Sequence, residues 1–182
     1  MKPFAALLFT LLLSSLAVPP AADSQTPSGK DVVAPTAYAS YDPVAQGMVF
    51  QVAVVLKIRP GFHVNARKVT FDYLIRTDLR AEVPAGFKLG EIIYPTGTLQ
   101  TFTFSRDKPL NVYSDTVMIR VPLTVHPKAP LGPQHLTMKL RYQACSTEIC
   151  LPPVTKDVDA LINIVATQSA AKPANKDLFS SK

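Results

Sequence analysis

The stretch MVFQVAVVLKI, residues 48–58, alternates apolar side chains with other residues at a period of two. Such alternation is typical of a β-strand, whereas an amphipathic helix repeats its apolar positions every three or four residues. The stretch TVMIRVPLTV, residues 116–125, has the same period. We therefore predict that both are strands, whose apolar faces are Phe50, Val52, Val54, Leu56 and Ile58 in the first and Val117, Ile119, Val121, Leu123 and Val125 in the second.

Proline and glycine interrupt the chain at short intervals, at residues 60–61, 84–86, 95–97 and 131–133. Short alternating strands separated by such turns are typical of a β-sandwich, and no long amphipathic helical window competes. The sequence predicts an all-β protein with an immunoglobulin-like antiparallel β-sandwich. Tryptophan is absent and the usual inter-sheet cysteine spacing is missing, which argues against an antibody-type domain.

The N-terminus has the order of a secretory signal, with Lys2, an apolar run over residues 4–18, and the small residues Ala21 and Ala22. A membrane-spanning helix needs about 20 apolar residues, so an uncleaved anchor is the weaker interpretation. We predict a signal peptide over residues 1–22 and export to an oxidising compartment, where disulfides form and persist.

The remaining chain divides by composition. Residues 23–36 and 166–182 are rich in Ala, Ser, Pro and Lys without an apolar period, and we predict a flexible linker and a disordered tail. Residues 37–165 have the size of one domain. The formal charge of +6 comes from 19 basic and 13 acidic residues scattered singly, without the basic face of a nucleic-acid-binding protein.

Both cysteines of the chain lie in RYQACSTEICLPPV, residues 141–154, with four residues between them. In the strand pattern before them, Cys145 falls on the face that points away from the main core. An alternating pattern resumes after Cys150, so the pair closes the tip of a hairpin, where facing Cα atoms lie about 4.5–5.5 Å apart and a disulfide can form. The predicted inward set before the tip is Leu136, Met138, Leu140, Tyr142 and Ala144.

Three interpretations of this pair are open. A structural staple over so short a loop contributes only about 2 kcal/mol. A metal site needs more ligands, commonly about four, and the nearest histidine in sequence, His135, lies at the far end of the strand. An exposed disulfide over a short loop is the reducible kind, which places a redox function slightly ahead of a staple.

A resemblance to a known protein family supports the redox interpretation of the cysteine pair. The segments YQACSTEICLPPVTKDVDALI, RPGFHVNARK and FTFSRDKPLNVY resemble the N-terminal periplasmic domain of the thiol:disulfide interchange protein DsbD, over residues 48–164. The most specific element is Tyr-Gln-x-Cys followed by Cys-x-Pro-Pro. The best-known members place one more residue between the two cysteines, so loop geometry cannot be transferred in detail.

The resemblance implies an immunoglobulin-like fold and a periplasmic location. It implies that Cys145 and Cys150 take electrons from a thioredoxin-like domain and pass them to disulfide isomerases or cytochrome c maturation thioredoxins, as a component of a protein-disulfide reductase. By the same resemblance Cys150 attacks partners and Cys145 resolves the mixed disulfide. No haem, flavin or metal is implied.

Full-length family members also carry a membrane domain and a C-terminal thioredoxin-like domain, which this sequence lacks. We therefore expect a free-standing relay that depends on a separate membrane thiol transporter. Glu148 between the cysteines and the lack of a helix N-terminus predict poorly reactive free thiols. Such thiols suit a relay that reacts only when docked, and they suit an inert pair equally.

The resemblance also assigns residues around the cysteines, each with a structural alternative. His63 and Asn65 match positions that line the site, although a histidine after a turn is commonly a surface or strand residue. Phe102 and Phe104 match the loop that shields the cysteines, although alternating phenylalanines are usually strand core, and the sequence does not say which one is the cap. Tyr142 and Gln143 precede the first cysteine and shape the site, with Tyr142 the better candidate for the core.

Two other functional classes stay open. One is a non-catalytic immunoglobulin-like binding module in which the disulfide only rigidifies a hairpin. The other is a metal-handling protein, indicated only by the cysteines, three histidines and four methionines. His126 and His135 flank a turn, and we expect both to be solvated.

Overall fold

The computed structural model describes residues 27–180 and shows an all-β protein, which confirms the predicted immunoglobulin-like sandwich. The strands are β1 (Val33–Ala39), β2 (Val44–Ala45), β3 (Val49–Ile58), β4 (His63–Asn65), β5 (Asp78–Glu82), β6 (Phe87–Leu89), β7 (Thr98–Gln100), β8 (Leu110–Tyr113), β9 (Thr116–Val125), β10 (Gly132–Tyr142), β11 (Ala144–Cys145) and β12 (Val154–Val165). The helical segments are α1 (Gly29–Val32), a 3-10 turn (Gln168–Ala170) and α2 (Lys176–Phe179).

The first sheet has the order β1-β3-β9-β6, and all its neighbours are antiparallel. Its two central strands are those that the alternating patterns predict. Val52 pairs with Val121 and Val54 with Ile119, so the two apolar faces lie side by side. This pairing gives the first sheet a continuous apolar inner surface.

The second sheet has the order β2-β12-β10-β5. Its longest pairing is the β10–β12 hairpin, which runs from Gly132 opposite Ile164 to Tyr142 opposite Val154. The predicted inward set of β10 is buried and belongs to the main core, together with the inner face of β12. The hairpin therefore carries its tip to one end of the sandwich.

A third, smaller sheet has the order β11-β4-β8-β7 and lies at that end. One of its faces contributes Val64, Tyr113 and Ala144 to the main core. The opposite face carries Leu110 and Val112 of β8, which form a second apolar cluster with Phe102, and Phe71 and Leu74 pack against this cluster.

The boundaries of the folded domain differ from the prediction. Strand β1 begins at Val33, inside the predicted linker, because its backbone pairs with β3 along its whole length. The predicted disordered tail is held to the first sheet as far as Leu178, since Asn175 Nδ2 donates to the carbonyl of Ala39 at 2.8 Å and Arg120 Nη2 donates to the carbonyl of Leu178 at 3.4 Å. Such contacts leave no periodic pattern in the sequence. The predicted signal peptide, residues 1–22, lies outside the described residues.

Within residues 27–180, every helix is too short or too polar to cross a membrane.

Candidate functional site

A change of sheet positions the cysteine loop. Strand β10 pairs with β12 up to Tyr142, and after Gln143 the chain moves to β4, where Ala144 and Cys145 form β11. The hairpin stays closed below the tip, because the backbone N–H of Leu151 donates to the carbonyl of Ala144 at 2.8 Å. Gln143 adds a second bond, from Nε2 to the carbonyl of Leu151 at 3.2 Å. Cys145 therefore belongs to the small third sheet.

Cys145 and Cys150 form a disulfide at the hairpin tip, with their Cα atoms 4.0 Å apart. This separation is shorter than the about 4.5–5.5 Å of ordinary cross-strand neighbours. The loop between them is closed by the backbone N–H of Ser146, which donates to the carbonyl of Ile149 at 2.8 Å. The Ser146 hydroxyl accepts hydrogen bonds from the backbone N–H groups of Glu148 and Ile149, each at 3.1 Å.

The two cysteines differ in exposure. Cys145 is 1% exposed, whereas Cys150 is exposed at the surface. Cys145 points away from the main core as predicted, but the expectation of an outward-facing pair holds only for Cys150. The face of the third sheet on which Cys145 lies is not open to solvent, because Phe102 stacks there on His63, the cross-strand partner of Cys145, and packs against Leu110 and Val112.

His63 lies on the same face as Cys145. The two residues are directly opposite each other across β4 and β11, and side chains at such positions project to the same side of a sheet. His63 is 3% exposed, and its ring stacks on that of Phe102 with centroids 4.0 Å apart and an interplanar angle of 19°. Burial lowers the pKa of His63 to about 4, and its Nε2 has no hydrogen-bond partner among the described residues.

The two candidate phenylalanines occupy different environments. Phe102 is 8% exposed, whereas Phe104 is 46% exposed and stacks on Phe102 with a centroid distance of 5.4 Å. Between them, the hydroxyl of Thr103 donates to the carbonyl of Thr147 in the cysteine loop at 2.9 Å. The segment that carries both rings is therefore bonded to the loop that carries the disulfide.

A cavity of about 210 Å³ opens beside this stack. Its walls include His63, Phe102 and Thr147, so it lies between the turn before β4 and the cysteine loop. Asp115 is the other titratable residue that lines it in the described part of the chain.

The structure gives Asn65 and Tyr142 other partners. Asn65 is buried, its side-chain Nδ2 donates to the carbonyl of Ile75 at 3.0 Å, and its backbone carbonyl accepts from the hydroxyl of Thr77 at 2.6 Å, whereas its Oδ1 has no hydrogen-bond partner among the described residues. Tyr142 lies in the main core, where its hydroxyl donates to the carbonyl of Gly29 at 2.9 Å and burial raises its pKa to about 12. A role for either residue in the site stays a prediction.

Sequence reasoning missed three residues of this region. Thr103 and Thr147 join the two loops, and a threonine in a polar segment gives no signal of such a bond. Ile149 is 51% exposed and directly precedes Cys150. As the only aliphatic residue inside CSTEIC, it was the one signal that the sequence offered in this loop.

The fold and the site together define an immunoglobulin-like domain with one hairpin disulfide whose second cysteine alone faces solvent. The family model of the N-terminal domain of the thiol:disulfide interchange protein DsbD matches residues 30–162, and the chain belongs to this family. A search of curated proteins gave no match.

Solved structures similar to this chain include two from Neisseria meningitidis. The reduced DsbD N-terminal domain is 22% identical, with a TM-score of 0.47, covering 85% of this chain and 99% of the other. The complex of the DsbD N-terminal and PilB N-terminal domains gives 21% identity and a TM-score of 0.44, covering 76% and 88%. A type I cohesin–dockerin complex from Clostridium thermocellum gives 12% identity and a TM-score of 0.39, covering 71% and 99%.

Proposed function

We propose that this chain is a periplasmic thiol–disulfide exchange relay that works through Cys145 and Cys150. Its electrons come from a membrane thiol transporter or a thioredoxin-like donor and pass to thioredoxin-fold acceptors of the disulfide isomerase or cytochrome c maturation type. The observation that carries this proposal is the unequal exposure of the two cysteines. Membership of the DsbD N-terminal family supports it.

The unequal exposure gives each sulfur a separate task. A donor thiolate attacks the exposed Sγ of Cys150, the bond between the two cysteines breaks, and its electron pair stays on Cys145 as a thiolate. The second thiolate of the donor then attacks the donor sulfur of the mixed disulfide and releases Cys150. The donor leaves as a disulfide, and the chain holds two thiols once protons are taken up from water.

Electron delivery reverses the direction. The Cys150 thiolate attacks the disulfide of an acceptor and forms a mixed disulfide. Cys145 then attacks the Sγ of Cys150 from the buried side, which re-forms the disulfide of the chain and releases the reduced acceptor. A buried resolving sulfur suits this step, because it reacts with its covalently attached neighbour and is shielded from other disulfides.

Opening the disulfide leaves the fold intact in this scheme. Only four residues separate the cysteines, so the bridge restricts the unfolded chain little, by about 2 kcal/mol. The hairpin beneath it is held by the β10–β12 pairing and the main core. The domain therefore has a reduced state of similar structure.

We assign partner docking to exposed apolar side chains of the cysteine loop and of the loop that is bonded to it. Ile149 and Phe104 are each exposed over about half of their surface and belong to the two loops that the Thr103–Thr147 bond joins. Exposed apolar groups of this kind are typical of protein contact sites. In the Neisseria complex, a domain of the same family is bound to the PilB N-terminal domain.

Thiol trapping under native conditions tests the proposal. The oxidised protein is incubated with reduced thioredoxin, quenched with a mass-tagged maleimide under denaturing conditions, and compared with a sample kept without thioredoxin. We expect two tagged cysteines after thioredoxin and none before, with an unchanged circular dichroism spectrum. Reduction that requires denaturant would leave the non-catalytic binding module as the better description.

A further inference from the structure

One buried polar atom next to the disulfide has no partner. Nε2 of His63 is buried without a hydrogen bond in the described residues, although buried polar groups are nearly always paired. The residue directly across the sheet is Cys145. Directly opposed residues have Cβ atoms about 4.5–5.5 Å apart, which brings an imidazole and a cysteine sulfur within reach of each other.

The Sγ of Cys145 changes its strength as a hydrogen-bond acceptor with the redox state. In the disulfide, the Sγ of Cys145 is a weak acceptor. After reduction it carries a thiol or, during exchange, a thiolate, and hydrogen bonds to charged groups are the stronger ones. With its proton on Nε2, the imidazole therefore gains a stronger acceptor when the disulfide opens.

We infer that His63 is a positioning residue that donates a hydrogen bond from Nε2 to the Sγ of Cys145 when the disulfide opens, and thereby favours the reduced state. This inference rests on the proposed function, because the bond matters only if the disulfide is opened in use. No proton leaves the imidazole in this step. The electron pair of the broken S–S bond stays on Cys145, and the N–H dipole stabilises it.

The surroundings of His63 fix the orientation of its ring and keep the ring uncharged. Its stacking on Phe102 fixes the plane of the ring, and Phe102 belongs to the loop that is bonded to the cysteine loop through Thr103 and Thr147. Burial lowers the pKa of His63 to about 4, so at neutral pH the imidazole is uncharged and carries one N–H. Asp115, which lines the same cavity, is itself exposed to solvent.

The first test is the equilibrium with dithiothreitol between pH 7 and 10, measured for the wild type and for His63→Phe, His63→Gln and His135→Phe. His63→Phe keeps an aromatic ring against Phe102 and removes the donor, so we expect the equilibrium constant to shift toward the disulfide, by about tenfold or about 30 mV where Cys145 is a thiolate and by less where it is a thiol. His63→Gln keeps an N–H donor and should recover most of the shift. His135→Phe, at an exposed histidine on β10, should match the wild type.

A second measurement addresses the thiolate directly. In a Cys150→Ala background, the pKa of Cys145 is read from thiolate absorbance during a pH titration. We expect His63→Phe to raise that pKa by about one unit, since a tenfold loss of thiolate stabilisation equals one unit. A merely structural role for His63 would leave this pKa and the dithiothreitol equilibrium unchanged, and unchanged values overturn the inference.

If His63→Phe fails to fold, nitrogen NMR of the wild type decides the question. The imidazole N–H resonance of His63 should move downfield on reduction, and an unmoved resonance overturns the inference. These measurements use a small dithiol and no protein partner. A His63 effect without exchange with thioredoxin would overturn only the proposed function, and exchange without a His63 effect would overturn only this inference.

Discussion

Phe102 lies face to face with His63, their ring centroids 4.0 Å apart, and His63 is in turn the cross-strand partner of Cys145. The stack continues to Phe104, which is partly exposed. Aromatic rings therefore cover the side of the third sheet on which the first cysteine lies. Of the two cysteines, Cys150 is consequently the one that is open to solvent.

The first prediction separates the two cysteines. Cys145→Ala and Cys150→Ala are each mixed with a partner thioredoxin that lacks its resolving cysteine, and disulfide-linked complexes are counted on a non-reducing gel. We expect stable complexes from Cys145→Ala, because its remaining thiol is the exposed one, and few from Cys150→Ala. The opposite pattern would reverse the roles, and complexes from neither would remove the case for exchange.

The second prediction concerns the two phenylalanines. Phe102→Ala should lower the free energy of unfolding by about 3 kcal/mol, because it empties the centre of the second cluster, and should make Cys145 of the reduced protein open to alkylation. Phe104→Ala should change the free energy of unfolding by less than about 0.5 kcal/mol, because nearly half of this residue is exposed to solvent. Urea unfolding and native alkylation rates measure both effects.

Reduction rates of Phe104→Ala separate an effect on partner docking from an effect on stability. Phe104→Ala should slow reduction by thioredoxin while leaving reduction by dithiothreitol unchanged. Tyr73→Ala serves as the matched control, since Tyr73 is an exposed aromatic residue outside the cysteine loop. An equal loss in Tyr73→Ala would argue against a docking role specific to Phe104.

The third prediction is a pH dependence of stability. The pKa of His63 is about 4 in the folded protein and about 6.5 when the chain unfolds, so the unfolded state binds more protons between these values. The free energy of unfolding should therefore decrease as the pH falls below about 6.5, with a contribution from His63 of about 3 kcal/mol by pH 4. Urea unfolding at several pH values measures it.

His63→Phe is the control for this pH effect. Carboxylates also titrate over the acidic range, so the contribution of His63 is the difference between the pH slopes of the two proteins. We expect the variant to have the shallower slope between pH 6.5 and 4. Parallel slopes would show that His63 titrates normally in the folded protein.

The fourth prediction concerns Tyr142. Tyr142→Phe removes the donor to the buried carbonyl of Gly29 and should lower the free energy of unfolding by about 1–3 kcal/mol. Because this bond lies in the main core, the rate of thioredoxin-dependent reduction should stay at the wild-type value. Tyr73→Phe, at an exposed tyrosine, should change neither quantity. A slower reduction in Tyr142→Phe alone would instead support the predicted role in the site.

The fifth prediction is cleavage of the signal peptide between about residues 17 and 24, motivated by the charged, apolar and small-residue order of the N-terminus. Mass spectrometry of the exported protein gives the new terminus. A membrane-bound product that retains Met1 would contradict it.

The sequence determined the fold class and the position of the disulfide because both depend on local patterns. A period of two fixes which residues of β3, β9 and β10 share a face, and those faces form the main core. The hairpin tip follows from the same period on both sides of the cysteines, and the pairing register agrees with it. The family model likewise matches one continuous range of the sequence, residues 30–162.

Tertiary structure alone decided how far each site residue is buried. A period assigns a side chain to a face of its strand, but it does not say what covers that face. Cys145 is buried because the chain changes sheets after Tyr142 and because a loop more than thirty residues earlier, around Phe102, folds over the third sheet. Within that loop Phe102 is buried and Phe104 is exposed, although both are phenylalanines and lie two positions apart. Their burial differs because it depends on contacts between segments that are distant in sequence.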